Sequence, residues 1–233
     1  MLIQKLKYTK YYFSVLINNY FFLKSTYSQH GEDCLVEQII MPDRISSFLD
    51  IGANDGVLFS NTYKFAKSGA EGICVEPSNS SFIKLKLNYL FNRRVKCYRF
   101  AISNNVGQTF FKEYGYENVL SKISTQELSN SYAVKTLTIS KLIKDFSKFN
   151  SFDLVSIDVE GAEDKVLDGA ENSLFQSKIV ILEIDKLSTD NLTNHPALSN
   201  HYPAYSNGVN LILLNHNFSF GKAKFLPNGF HTC

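Results

Sequence analysis

The stretch from Phe48 to Gly56, FLDIGANDG, constrains this chain more than any other. Phe48, Leu49 and Ile51 form a short apolar run bounded by Ser46-Ser47 and Gly52, the pattern of a buried strand. The strand then breaks into a turn with glycine at each end. Gly52 and Gly56 are free to take positive φ or to let a ligand come against the bare main chain. Asp50, Asn54 and Asp55 bring carboxylates and an amide to the same spot, as expected where a chain holds a nucleotide-like ligand.

A second apolar run, Gly72 to Pro77, ends in Glu76, twenty positions after Gly56. An acidic residue at about that spacing, at the tip of the second strand, is where a doubly wound sheet grips ribose hydroxyls. A carboxylate suits the task because it offers only acceptors. The glycines of the turn do not follow the Gly-x-Gly-x-x-Gly spacing, and no Gly-Lys-Ser/Thr phosphate loop occurs. A ribose grip without a diphosphate cradle points away from NAD and ATP and toward S-adenosylmethionine, whose sulfonium agrees in sign with Asp50 and Asp55. Capping of the turn is the competing use of those two acids.

Several blocks occur in order between Ser28 and Glu183: SQHGED at 28–33, FLDIGANDG at 48–56, SNTY at 60–63, GICVEP at 72–77 and DLVSIDVEGAE at 153–163. In these blocks the chain resembles the FkbM-type methyltransferases. The resemblance implies a Rossmann-like class I methyltransferase fold, S-adenosylmethionine as methyl donor, and a hydroxyl acceptor on a sugar or secondary metabolite. It places cofactor binding at Gln29, Asp33, Asp50, Gly52, Asn54, Gly56, Asn61 and Glu76. His30 falls at a position that varies in the family pattern. The resemblance is loose in the first 25 residues and after about Asp185, the regions expected to choose the acceptor.

The rest of the chain alternates strand and helix signals, so an α/β fold is expected, a mostly parallel seven-stranded sheet with helices on both faces and an antiparallel strand near the C-terminus. Leu35, Val36, Ile39 and Ile40 stripe a helix stopped by Pro42, and Ile83, Leu87, Leu90 and Phe91 stripe another beginning near Ser78. Val95 to Ile102 reads as strand three, with Ala101 and Ile102 either walling the adenine or filling the core. Residues 103–136 read as a small hairpin and a surface loop that covers the cofactor. Ile139, Leu142, Ile143 and Phe146 mark a helix, Asp153–Asp158 strand four, and Ile179–Ile184 strand five. Val209–Leu214 and about Phe218–Phe225 read as the C-terminal strands, with a Pro- and Tyr-rich loop at 186–207 before them. That loop holds His195 and His201, read either as surface histidines or as part of an acceptor wall.

The densest chemistry is Asp158 to Asp164, with four carboxylates in seven residues at the end of an apolar strand. Ligands gather at the carboxyl ends of strands near the point where strand order reverses, which gives Asp158 and Glu160 the catalytic position. Glu163 and Asp164 fit the first turn of the following helix, where its dipole favours negative charge. Asp158 or Glu160 would orient or deprotonate an acceptor hydroxyl, and a magnesium ion held by the same oxygens is the competing use.

At 233 residues one core is the default, and the net charge of +2, with basic residues scattered among acidic ones, argues against nucleic acid as a partner. Cys34, Cys74, Cys97 and Cys233 show no metal or redox spacing, as expected of reduced thiols in the cytoplasm. Residues 1–25 carry Lys5, Lys7 and Lys10 before broken aromatic stretches, unsuited to a signal peptide or a membrane span. They read as a helical extension ahead of a methyltransferase domain at 26–233, packed on it or on a second subunit, or lying peripherally on a membrane near lipid-linked glycans. The acceptor expected from these readings is a glycan, glycolipid or glycosylated metabolite in polysaccharide biosynthesis. A non-catalytic S-adenosylmethionine-binding partner in glycan assembly is the alternative, and an NAD-dependent sugar epimerase is disfavoured by the glycine spacing.

Overall fold

Leu49 and Ile51 enter one apolar core and Phe48 another, so the first strand is buried on both faces and needs cover on each side. In this computed structural model the described residues are 24–112, 131–172, 174, 176–184 and 192–233, with the backbone of 122–124 and the two helical positions Phe13 and Ile17. The expected extension over residues 1–25 otherwise lies outside them.

The strands are, in chain order, β1 (Ser47–Ile51), β2 (Glu71–Val75), β3 (Val95–Tyr98), β4 (Ala101–Ile102), β5 (Gly107–Lys112), β6 (Lys122–Ser124), β7 (Ser131–Leu137), β8 (Leu154–Ile157), β9 (Ile179–Glu183), β10 (His201–Ser206), β11 (Asn210–Asn215) and β12 (His231–Thr232). The helices are α1 (Glu32–Ile40), α2 (Tyr63–Lys67), α3 (Asn79–Asn88), α4 (Ile139–Phe146) and α5 (Glu163–Asp168). The large sheet runs β12-β10-β11-β9-β8-β1-β2-β3, parallel from β9 to β3, with β11 antiparallel to both its neighbours. It has eight strands where seven were expected, with β10 and the two-residue edge strand β12 both outside the expected set. Strand order reverses at β1, which lies between β2 and β8, so ligand chemistry belongs at the carboxyl ends of these three strands. Leu35 and Ile39 of α1, Phe65 of α2 and Leu85 of α3 pack on one face of the sheet; Ile139 and Leu142 of α4 and Val166 and Leu167 of α5 pack on the other.

Several expectations are corrected. Strand three stops at Tyr98, because Ala101 and Ile102 leave the large sheet to pair in parallel with Thr136 and Leu137. The hairpin expected within 103–136 exists but belongs to a four-stranded sheet, β4-β7-β5-β6, with its own core of Ala101, Phe111 and Val134. Residues 113–121 and 125–130, where the covering loop was expected, lie outside the described residues. The Pro- and Tyr-rich segment contains β10, whose Pro203 sits at a register shift, the tolerated place for a strand proline. Residues 218–225 form no strand. The stripe Ile83, Leu87, Leu90 and Phe91 faces outward, 55–81% exposed, while Ser81 and Leu85 form the buried side of α3.

Packing between β1 and β2 is tight at Gly72, the register partner of Phe48, whose ring occupies the space a Cβ would need. Gly72→Ala is expected to lower unfolding free energy by about 1–3 kcal/mol through overpacking, read from denaturant midpoints. Adding Phe48→Leu should return part of that loss.

Candidate active site

The turn after β1 is shaped by its backbone. Gly52 has φ +85°, and a Cβ there would overlap the carbonyl of Asp158, so only glycine lets the tips of β1 and β8 meet. Gly56 has φ +76°, and its Cβ would press on Leu85 of α3 and on Tyr89, which caps its C-terminal end. The space a Cβ would take at both glycines is therefore filled by close protein neighbours, where a ligand was expected. The N–H groups of Gly52 and Ala53 donate to the carbonyl of Val75 at 3.0 and 3.1 Å, which pins the turn to β2. Asp55 caps the turn by accepting from the N–H groups of Val57 and Leu58 at 2.9 and 2.8 Å.

Glu76, at the tip of β2, turns onto this loop. Its Oε2 accepts from the Asn54 N–H at 2.9 Å and its Oε1 from the Ser78 N–H at 2.7 Å. A carboxylate offers only acceptors, the chemistry that suits ribose hydroxyls at the tip of a second strand. Asn54 itself adopts φ +48° with its side chain exposed.

The other cofactor candidates separate. Asp50 is buried below the turn, receives the Thr62 hydroxyl at 2.6 Å, and is raised by burial to about 6. Asn61 donates its amide to Ser156 of β8 at 3.1 Å, on the same side of the sheet edge. Gln29 is exposed beside the Ser28–Phe59 bridge, which sets the 28–33 block against the turn. Asp33 is a correction: fully buried, it accepts from Thr26 Oγ1, Ser28 Oγ and the N–H groups of Tyr27 and Cys34 at 2.5–2.8 Å, and so anchors α1 with no surface left for a ligand. Ala101 and Ile102 are 1% and 3% exposed within apolar cores, which makes them packing residues. His201 is another correction, since it is buried and bonds its Nε2 to the Ser177 carbonyl at 2.9 Å. His195 caps the short helical turn Pro196–Leu198 and reaches Asp168 at 3.1 Å.

Opposite Glu76, across the tips of β8 and β9, carboxyls converge. Asp158 and Glu183 share a hydrogen bond, and the pair titrates at about 6 and about 8, raised by burial first and by neighbouring negative charge second. Glu160 is lifted to about 7 by burial and by Glu183 and Glu163. It stands at φ +57°, an unfavourable backbone for a side-chain-bearing residue. Buried Glu163 imposes that shape by accepting from the N–H groups of Val159 and Gly161 at 3.1 and 3.2 Å, in addition to opening α5 as expected. Among the described residues no group of three or more His, Cys, Asp or Glu side chains is disposed to hold a metal ion. Such an array of carboxyls holds protons near neutrality and presents negative charge to whatever enters.

Glu183 joins the site more firmly than its strand-end position alone suggested, and Asn88 and Tyr89 of α3 were not foreseen. Asn88 donates to the Asp55 carbonyl at 2.7 Å and the Tyr89 hydroxyl to the Gly56 carbonyl at 3.1 Å. Their only sequence signal is a polar and an aromatic residue on the side of α3 opposite the misread stripe.

Comparison with known proteins identifies the fold and the family. The methyltransferase FkbM domain matches residues 50–220. A solved FkbM methyltransferase from Methylobacillus flagellatus KT superposes with a TM-score of 0.51 at 14% identity, over 74% of this chain and 44% of its own. This chain therefore spans less than half the length of that protein. A precorrin-6y C5,15-methyltransferase from Geobacter metallireducens GS-15 superposes with a TM-score of 0.50 at 10% identity, over 82% of this chain and 90% of its own. No curated protein matches the chain. Since the domain match takes in well over half of its residues and the sheet beneath it is that of a class I methyltransferase, this chain belongs to the FkbM methyltransferase domain family.

Proposed function

We propose that the chain is an S-adenosylmethionine-dependent O-methyltransferase whose acceptor is a sugar hydroxyl of a glycan, glycolipid or glycosylated metabolite. The observation that carries this reading is the Glu76 carboxylate at the tip of β2 closing on the Gly52–Gly56 turn. Glu76, Asn54 and the main chain at Gly52 would hold the nucleoside, with Gln29 and Asn61 at its margin; the carboxyls across the sheet edge suit a cationic sulfur in sign. When bound, S-adenosylmethionine supplies a methyl group on a sulfur that leaves as a neutral thioether. Asp158, hydrogen-bonded to Glu183, orients the acceptor hydroxyl and takes its proton as the oxygen–methyl bond forms; Glu160 is the second acceptor within the cluster. Alignment of the reactants supplies as much as ~7–11 kcal/mol and a base a further ~10²–10⁴-fold, so positioning carries most of the rate. Four free cysteines fit a reducing, cytoplasmic setting.

Titration of S-adenosylmethionine separates the roles. Glu76→Ala is expected to weaken binding roughly 10- to 100-fold, the value of charged hydrogen bonds, while Asp158→Ala lowers turnover far more than affinity. Equal binding by native protein and both variants would sink the ribose assignment. Tight binding with no methyl gain on any sugar acceptor tested would favour a non-catalytic partner.

The carboxyl cluster sets the pH behaviour. Asp158, Glu160 and Glu183 hold their protons more tightly folded than unfolded, so their contribution to stability is full below about pH 4 and is lost as pH rises through about 6 to 8. The ionised cluster attracts a sulfonium, so affinity for S-adenosylmethionine should rise over the same interval, while that for neutral-sulfur S-adenosylhomocysteine stays nearly flat. Calorimetry across pH 5–9 tests the contrast, and Glu183→Gln should move the rise to lower pH by removing the group that titrates highest, at about 8, and with it one negative neighbour of Glu160.

A further inference from the structure

The overall charge of +2 hides a segregation. Residues 77–112 contain no Asp or Glu and seven basic residues, Lys84, Lys86, Arg93, Arg94, Lys96, Arg99 and Lys112, while the remainder of the chain holds 17 basic against all 22 acidic residues. Much of this charge surrounds the outward side of α3 and the turn into β3. There Ile83, Leu87, Leu90 and Phe91 are 61%, 55%, 62% and 81% exposed, a contiguous apolar ridge at helical spacing. Beside the ridge lies a shallow groove of about 310 Å³ lined by Lys86, Leu90, Arg93 and Lys96 with Tyr89. Among the described residues no carboxylate pairs with Lys86, Arg93 or Lys96.

We propose that the outer face of α3 and the 89–96 turn docks on an anionic phospholipid surface, with Ile83, Leu87, Leu90 and Phe91 entering the headgroup–acyl boundary and Lys86, Arg93 and Lys96 seating lipid phosphates in the groove. An apolar ridge rimmed by cations is the composition of an interfacial helix, where buried apolar area and attraction to acidic lipid act together. Nucleic acid would use the cations but gives four exposed aliphatic and aromatic side chains nothing to enter, and a second copy of this face would set like charges against one another. The site shares no residue with the 1–25 segment and uses no side chain assigned to methyl transfer. It is nevertheless coupled to that chemistry, since Asn88 and Tyr89 at the same end of α3 hold the carbonyls of Asp55 and Gly56.

Vesicle flotation of the full chain tests the proposal, with phosphatidylcholine alone and with an equal mixture of phosphatidylcholine and phosphatidylglycerol. The native chain is expected to float with the mixed vesicles only. R93Q/K96Q should lower that partitioning on the order of 30-fold and L90S/F91S at least about tenfold. K222Q/K224Q, on exposed residues elsewhere, should leave it unchanged. All four substituted positions in the test variants lie at the surface, and an unchanged circular dichroism spectrum with retained S-adenosylmethionine binding shows that the variants fold. Equal flotation with neutral vesicles, no flotation with either, or flotation insensitive to both variants overturns the proposal. So does a dimer dissolved by L90S/F91S, or duplex binding lost in R93Q/K96Q, in a chain that ignores vesicles.

Discussion

The carboxylate of Glu76 is the joint on which the site depends. It accepts from Asn54 in the turn after β1 and from Ser78 at the start of α3, and so ties two loops that leave neighbouring parallel strands. Neither donor lies in a ladder, and Asn54 holds a left-handed backbone that needs outside support. Val75 reinforces the joint by accepting from Gly52 and Ala53, and α3 closes it from below through Asn88 and Tyr89. A turn gripped at both ends meets its ligand with little left to order, which is where preorganised sites gain affinity.

Across the sheet edge the chain accepts a cost. Asp158, Glu160, Glu163 and Glu183 crowd together with Asp50 close behind, and burial with mutual repulsion raises three of the four into the neutral range. Packing alone would favour apolar residues there, as on the strands just before, where Leu154 to Ile157 and Ile179 to Leu182 are buried without exception. The strained backbone of Glu160, held by Glu163, is a second cost at the same place. Strain and perturbed titration meet at the carboxyl ends of β8 and β9, where this fold places its chemistry.

Much of this was legible because it depends on local signals. Apolar runs located β1, β2, β8 and β9 to within a residue or two, and the glycine spacing together with Glu76 located the turn that Glu76 grips. What escaped depends on pairing. Nothing local tells Ala101 and Ile102 that their partners are Thr136 and Leu137, so strand three was read too long. Pro203 hid β10, because a proline argues against a strand unless a register shift accommodates it. Asp33 sat in a recognisable block, yet its four donors come from a folded segment, Thr26 to Cys34, whose shape the block alone does not reveal.

Helix α3 shows most plainly where periodicity stops. Its spacing supports two apolar sides, one through Ile83, Leu87 and Leu90 and one through Leu85 and Tyr89. The larger side was the natural choice for the core, but Gly56 leaves room only for Leu85 and Tyr89, and the hydrogen bonds of Asn88 and Tyr89 to the turn point the same way. Close approach at one glycine therefore decides the rotation of the helix and turns its richer apolar side outward. A helix apolar on both sides is ordinarily buried on both. Here the outer side lies open in a stretch without a single acid, so the residues that fix the turn from within are continuous with a surface suited to another phase.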